Sequence, residues 1–213
     1  MPEMDVPLRA EHLADRVVLT IGLVLSLIGA VWLLALMTAQ PDGFRGWSGA
    51  VYGSALVLMF SCATIYHWLP DDRPRSFIRI LDHCAIFVLI AATYTPFTLP
   101  NVSAPWALIT LLLMWGMVGA GIIYKFLWIG RRDRASVFLY LAMGWSAVAV
   151  FQPLAAAVPG TVLHLIVAGG VLYSIGAFVY IWKGMPFRLA IWHSFVIAGS
   201  SVHYFAVTNY LRA

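Results

Sequence analysis

The chain has 213 residues, of which 62% are hydrophobic and 10% are charged, and its formal net charge at pH 7 is +4. Soluble domains carry about 25% charged residues, so this composition excludes a soluble globular protein. The thirteen Lys and Arg residues are scattered over short connections between apolar runs. They form no basic patch, which argues against a nucleic-acid-binding protein.

Seven apolar runs follow one another along the chain, and an α-helix needs roughly 20 such residues to cross a bilayer. The runs predict helices at residues 17–39, 47–69, 80–99, 106–126, 135–151, 161–182 and 189–210. The connections between them are short, and no cleavable signal peptide is recognisable. The sequence therefore predicts one all-α domain over residues 1–213, an integral membrane bundle of seven transmembrane helices.

The distribution of Lys and Arg predicts the orientation of this bundle. Two cations precede the first run, and nine lie in or beside the connections after the second, fourth and sixth runs. These eleven are Arg9, Arg16, Arg73, Arg75, Arg79, Lys125, Arg131, Arg132, Arg134, Lys183 and Arg188. The other side has only Arg45 and Arg212. By the positive-inside rule, the N-terminus is cytoplasmic and the C-terminus is outside, in a multi-pass protein of the bacterial inner membrane.

One acidic residue, Asp82, lies inside an apolar run, where ionisable groups usually mark function. His67 ends the second predicted helix, and His193 lies about one turn into the seventh. The alternating helix directions place all three near the cytoplasmic face. Two imidazoles and a carboxylate at one depth suit a zinc ion. The alternatives are interfacial side chains with a favourable first-turn charge, or a metal-free hydrogen-bonded cluster that joins three helices.

The remaining histidines suit this site less well. His12 lies in the polar N-terminal tail, and His164 starts the sixth helix on the outer side. His203 follows the other helix-seven histidine by ten residues, or about 15 Å along a helix. His83 adjoins Asp82 but points about 100° away from it, which leaves it a supporting role at most.

Four segments resemble the haemolysin III family, the bacterial branch of the progestin and adipoQ receptor family and a more distant relative of alkaline ceramidases. The most specific is LDHCAIFVLIAATYTPF at residues 81–97, and the others are ATIYH at 63–67, GGVLYSIGA at 169–177 and IWHSFVIAG at 191–199. The resemblance extends over all seven predicted helices.

This resemblance implies a seven-helix bundle with a zinc site on the cytoplasmic side. The family pattern is Ser-x-x-x-His on helix two, Asp on helix three and His-x-x-x-His on helix seven. Carried over, it assigns the zinc ligands to His67 and His193 and places Asp82 beside the metal-bound water. Two positions depart from the pattern, because Ala63 replaces the Ser and Leu189 replaces the first His of the last pair.

The loss of that histidine changes the expected chemistry. A catalytic zinc needs three protein ligands, so Asp82 becomes a ligand as well as the candidate catalytic residue. That use of Asp82 removes the general base, for which Tyr66 or His83 would be the substitutes.

Two classes of function follow. The first is a haemolysin III-type membrane protein with a degenerate zinc site, acting in membrane-lipid homeostasis, sensing or cytolysis. The alternative is a zinc-dependent, ceramidase-like hydrolase of lipid amides or esters. The missing Ser and His favour the first class. In both, membrane lipids are the expected partners.

Overall fold

The computed structural model describes residues 5–38, 43–70, 76–101, 103–127 and 133–213. These residues form eight α-helices and two short 3₁₀ segments. The helices are α1 (Asp5–Thr38), α2 (Gly43–Trp68), α3 (Ser76–Thr98), α4 (Pro105–Leu127), α5 (Asp133–Trp145), α6 (Phe151–Ala157), α7 (Gly160–Ile181) and α8 (Arg188–Arg212). The 3₁₀ segments are Leu99–Asn101 and Ser146–Val150.

Each apolar run of the sequence coincides with helical structure. The first helix differs most from its predicted bounds, since α1 begins at Asp5 rather than at residue 17. The fifth run is composite, because α5, the 3₁₀ segment Ser146–Val150 and α6 follow one another without a loop. Of the cations that predict the orientation, Arg73, Arg75, Arg131 and Arg132 lie outside the described residues.

Six helical stretches in the described chain are long and apolar enough to cross a membrane. They are Arg9–Thr38, Gly43–Trp68, Phe77–Asn101, Pro105–Leu127, Ala135–Ala157 and Gly160–Ile181. Large apolar side chains remain uncovered on their outer faces, such as Val31 at 68% exposed and Leu112 at 64%. A surface this apolar is stable against lipid rather than water. The molecule is therefore a helical bundle of a multi-pass membrane protein.

Helix α8 is long enough to cross a membrane but is more polar than the other long helices. Its buried residues include Ser200, His203 and Thr208. It packs against α1, α2, α3 and α7, so protein rather than lipid surrounds much of its surface. A helix in this central position tolerates polar side chains, because they contact other side chains and carbonyl groups instead of hydrocarbon.

Tyr94 stabilises the break between α5 and α6. Its hydroxyl accepts a hydrogen bond from the N–H of Ala147 (2.8 Å) and lies in donor range of the carbonyl oxygens of Gly144 (2.7 Å) and Met143 (3.1 Å). Irregular backbone is tolerated at membrane depth where protein groups satisfy its hydrogen bonds. Residues at this break, together with Tyr94 itself, form part of the wall of an internal cavity.

Candidate functional site

Three helices bring together the histidine cluster, which consists of Asp15 on α1, His67 on α2 and His193 on α8. One carboxylate oxygen of Asp15 lies 2.6 Å from Nδ1 of His67, and the other lies 2.6 Å from Nδ1 of His193. The two imidazoles meet edge to face with their centroids 5.1 Å apart. A carboxylate only accepts hydrogen bonds, so each Nδ1 donates, and Nε2 of each ring is the nitrogen that Asp15 does not engage.

Asp15 reaches the histidines because of its position on the inner face of α1. Leu19, four residues further on, is fully buried on the same face. The neighbouring Arg16 projects in another direction, and its Nε donates to the carbonyl oxygen of His67 (2.8 Å). That carbonyl lies in the last turn of α2, where helix carbonyls lack partners within the helix. Arg16 therefore holds the end of α2 against α1 and fixes His67 beside Asp15.

Asp82 lies near the histidine cluster without joining it. Its side chain is buried at 9% exposure and lies within electrostatic range of His67, His193 and Asp15. Among the described residues it makes no hydrogen bond to either histidine. The carboxylate that the histidines contact is thus Asp15, which precedes the first predicted apolar run at Val17 and is not among the predicted site residues. Its helical spacing from Leu19 is a signal that could have placed it on a buried face.

His67, Asp82 and His193 all line one internal cavity of about 390 Å³. Its walls extend along α7 from Leu163 to Tyr180, a separation of about 25 Å in a helix. The cavity is therefore elongated along α7. Asp15 does not line it and lies behind the two imidazoles.

The two ends of the cavity differ in chemistry. The end at the histidine cluster also carries the cationic wall, defined as Arg79 on α3, Lys125 on α4 and Arg188 on α8. The far end is lined mainly by apolar residues, among them Phe97, Trp106, Leu154, Leu163 and Ile166. The space is therefore amphipathic along its length.

Lys125 is the most buried member of the cationic wall, at 3% exposure. Its ammonium nitrogen lies 2.9 Å from Nδ1 of His83, and the hydroxyl of Tyr140 donates to the carbonyl oxygen of His83 (2.9 Å). An ammonium group has no acceptor, so Nδ1 of His83 accepts. His83, for which the sequence leaves a supporting role at most, contacts Lys125. Arg188 donates to the carbonyl oxygen of Tyr180 (2.7 Å).

The two departures from the haemolysin III pattern both lie on the cavity wall. Ala63 and Leu189 line the cavity one turn before His67 and His193, respectively. A side chain with metal-binding atoms at either position would therefore face the histidine cluster.

The other histidines lie apart from the cluster. His12 and His164 are exposed. His203 is buried and lines a part of the cavity further along α8, where Nε2 lies 3.0 Å from the carbonyl oxygen of Ile166. Its Nδ1 is buried without a hydrogen-bond partner among the described residues. Gly169 makes room for this ring, because a Cβ at that position would collide with the imidazole.

The side chains of this site are of types that bind zinc, but their present positions do not form a zinc site. Zinc-binding histidines commonly donate their second N–H to a carboxylate, which fixes the ring for the metal, and Asp15 is placed to do this for both rings. Asp82 supplies a carboxylate as a third donor. Within the described part of the chain, however, no group of three His, Cys, Asp or Glu side chains is arranged to hold a metal ion. Asp15 therefore orients His67 and His193, and Asp82 is not arranged with them as a third metal ligand.

The fold and this cavity define a multi-pass helical membrane protein with a polar site buried in its bundle. Residues 18–204 match the family model described as "Haemolysin-III related", and the chain belongs to that family. It is 35% identical over 200 residues to "Hemolysin-3 homolog" of Bacillus subtilis (strain 168), covering 94% of each chain.

Two further relatives extend the comparison. The chain is 34% identical to "Hemolysin-3" of Bacillus cereus, covering 94% of this chain and 92% of that one. It is 29% identical to the human "Monocyte to macrophage differentiation factor", covering 94% and 84%, respectively. No solved structure matches the chain. The family resemblance predicted from the sequence is confirmed.

Proposed function

We propose that this protein binds a membrane lipid in its internal cavity, with the polar end of the lipid at His67, Asp82 and His193. One observation supports this most strongly, namely the long cavity with charged side chains at one end and mainly apolar side chains at the other. Ligand cavities of about 300–1,000 Å³ with a few convergent polar groups are typical of small-molecule sites. The biological role that fits such binding is membrane-lipid homeostasis or sensing.

The proposal includes a seven-span topology in which α8 crosses the membrane beside α7. The excess of Lys and Arg in alternate connections supports a cytoplasmic N-terminus and an outside C-terminus, in the bacterial inner membrane. The charged end of the cavity then faces the cytoplasm. Alkaline phosphatase fused after Ala213 should be active, and a fluorescent protein fused at the same point should be dark. An inactive phosphatase with a bright fluorescent protein would indicate the reverse topology.

We further propose that zinc belongs at the polar end, held by His67, His193 and Asp82. The contact of the Asp15 carboxylate with Nδ1 of both histidines supports this, since Nε2 of each ring is then the nitrogen that can bind a metal. Zinc bound there would polarise a lipid carbonyl group or lower the pKa of a bound water. The residues themselves orient the rings, exclude bulk water and position the lipid headgroup.

A hydrolase of lipid amides or esters is the second candidate. It is favoured by the presence of two carboxylates, because Asp15 orients the histidines and Asp82 is left facing the cavity. In this role Asp82 would act as the catalytic residue instead of serving as the third zinc ligand. Release of fatty acid from a short-chain ceramide or from monoolein, lost in Asp82→Asn, would support hydrolysis; no release by the zinc-loaded wild type would contradict it.

Lipid binding in the cavity is tested by filling the cavity. Gly170 lines it, and the nearest atoms to a Cβ there belong to Trp145 at 3.7 Å or more. Gly170→Leu is therefore expected to fold and to occupy ligand space. Delipidated protein is titrated with monoolein and bound lipid is counted by native mass spectrometry.

The matched control is Gly119→Leu on α4, where a Cβ would meet nothing within 4 Å. Binding should weaken by about tenfold or more in Gly170→Leu, since the space for several CH₂ groups at about 0.8 kcal/mol each is lost. It should be unchanged in Gly119→Leu. Equal binding by both variants would mean that the lipid lies elsewhere.

A further inference from the structure

We infer that the lipid in the cavity carries a hydroxyl group part-way along its acyl chain, and that His203 is the residue that binds this hydroxyl. The inference rests on the proposed lipid-binding function and names the class of lipid. Three observations carry it, namely a buried ring nitrogen without a hydrogen-bond partner, the place of His203 on the cavity wall, and its distance along α8 from the polar end.

Other polar side chains in the apolar part of the cavity have partners within the protein. The hydroxyls of Thr98 and Thr110 each donate to a carbonyl oxygen one turn earlier in their own helix. The hydroxyl of Tyr173 lies 2.7 Å from Oγ of Ser200. Among the described residues that line the cavity, Nδ1 of His203 is the one buried side-chain nitrogen or oxygen without a hydrogen-bond partner.

The partner of the other ring nitrogen determines the chemistry of Nδ1. Nε2 of His203 lies 3.0 Å from the carbonyl oxygen of Ile166. A carbonyl oxygen only accepts, so Nε2 carries a hydrogen. A protonated ring would place a charge in a wall that is mainly apolar, which is costly. In the neutral ring Nδ1 is therefore an acceptor, and its partner has to be a donor such as a hydroxyl group.

The burial of this acceptor indicates a partner in the cavity. A buried acceptor without a partner costs free energy, and an apolar side chain would fill the same space without that cost. His203 is 9% exposed and lines the cavity. Nδ1 itself is covered, so a small turn of the ring brings it to a donor on the bound lipid.

The position of His203 along α8 predicts where on the lipid the hydroxyl lies. His203 follows His193, at the polar end, by ten residues, or about 15 Å along a helix. An extended chain advances about 1.2 Å per covalent bond, so about twelve carbons cover this distance. A lipid whose headgroup lies at His193 therefore passes His203 near its twelfth carbon.

The inference is tested with three lipids that share one headgroup. They are monoolein, monoricinolein, which is monoolein with a hydroxyl on the twelfth carbon of the chain, and the isomer with the hydroxyl on the second carbon. The full-length protein is delipidated, placed in phosphatidylcholine nanodiscs and titrated with each. The wild type should bind monoricinolein about fivefold or more tighter than monoolein, as expected for one added hydrogen bond to a buried acceptor.

His203→Phe should remove the preference for monoricinolein and leave monoolein binding within about twofold, since monoolein has no donor at that level. The variant keeps a ring, and the carbonyl oxygen of Ile166 keeps its partner within α7. His164→Phe is the matched control, because it changes an exposed histidine on α7. Gly169→Ala is the second variant. Its Cβ would displace the imidazole, so the preference should fall although the histidine remains.

Each result either supports the inference or overturns it. Equal binding of monoricinolein and monoolein by the wild type would overturn it and leave lipid binding intact. A preference that survives in both His203→Phe and Gly169→Ala would assign the hydroxyl to another residue. An equal preference for the isomer with the hydroxyl on the second carbon would contradict recognition at the level of His203. Failure of all three lipids to bind would overturn the proposed function itself.

Discussion

The histidine cluster and the cationic wall lie at the same end of one cavity, but the charged side chains of the two regions have different partners. In the histidine cluster, the carboxylate of Asp15 contacts two imidazoles and lies behind the lining. In the cationic wall, Lys125 contacts a neutral ring nitrogen of His83 and faces the cavity. In the first arrangement, protein groups contact both oxygens of the carboxylate. The second places cationic side chains on the wall of the cavity.

This difference gives Asp15 a structural role, whereas His67, His193 and Lys125 face the cavity. A buried charge whose partners are all protein groups connects the helices that supply them, here α1, α2 and α8. A buried charge that faces a cavity contributes to binding instead. We therefore expect the loss of Asp15 to lower stability most, and changes near Lys125 to lower it less.

The largest expected effect comes from Asp15→Asn. Two buried imidazoles lose their shared carboxylate, and breaking a buried pair costs about 3–5 kcal/mol. The free energy of unfolding should fall by about this amount, measured by reversible detergent-induced unfolding of the purified protein. Glu11→Gln is the control, since it makes the same change one turn earlier at a half-buried position and should shift stability by no more than about 0.5 kcal/mol. Similar losses in both variants would contradict a central role for Asp15.

The next effect concerns Leu189, one turn before His193 on the cavity wall. Leu189→His should strengthen zinc binding by about 100-fold or more, because even supporting partners of a ligand change metal affinity by about 10–100-fold. Competition with a zinc chelator measures this. Ile191→His is the control, because a residue two positions from His193 lies on another face of α8. Equal gains in both variants would mean that the new histidine does not act together with His193.

The smallest effect is expected at Tyr140, whose hydroxyl donates to the carbonyl oxygen of His83. Tyr140→Phe removes one neutral hydrogen bond and should lower the free energy of unfolding by about 1 kcal/mol. Reversible detergent-induced unfolding is again the measurement, with the exposed Phe138→Ala as a comparison on the same helix. A loss as large as that of Asp15→Asn would remove the distinction between the two regions.

The sequence predicted the helices well because lipid demands long apolar runs, and such runs are visible without any knowledge of packing. It also predicted that His67, Asp82 and His193 lie near one end of the bundle, since alternating helix directions determine depth. The zinc that the same residues suggest stays a prediction.

The partners of these residues were not predictable in the same way. Asp15 precedes the first apolar run by two residues, and only the packing of α1 against α2 and α8 turns it towards the histidines. The contact between Lys125 and His83 depends on how α3 and α4 rotate about their axes. The bounds of the apolar runs give the depth of a residue along a helix, whereas side-chain contacts across helices depend on the packing of the whole bundle.

The central claim is that the polar end of the cavity is a lipid site supported by a metal. The zinc content of the purified protein tests this claim most directly. Elemental analysis of the wild type is compared with His67→Ala, His193→Ala and, as a control, His12→Ala, which changes an exposed histidine. We predict about one zinc per chain in the wild type and in His12→Ala, and a loss of zinc in both other variants. A wild type without zinc after supplementation would contradict the metal site and leave the histidine cluster as a metal-free connection between helices.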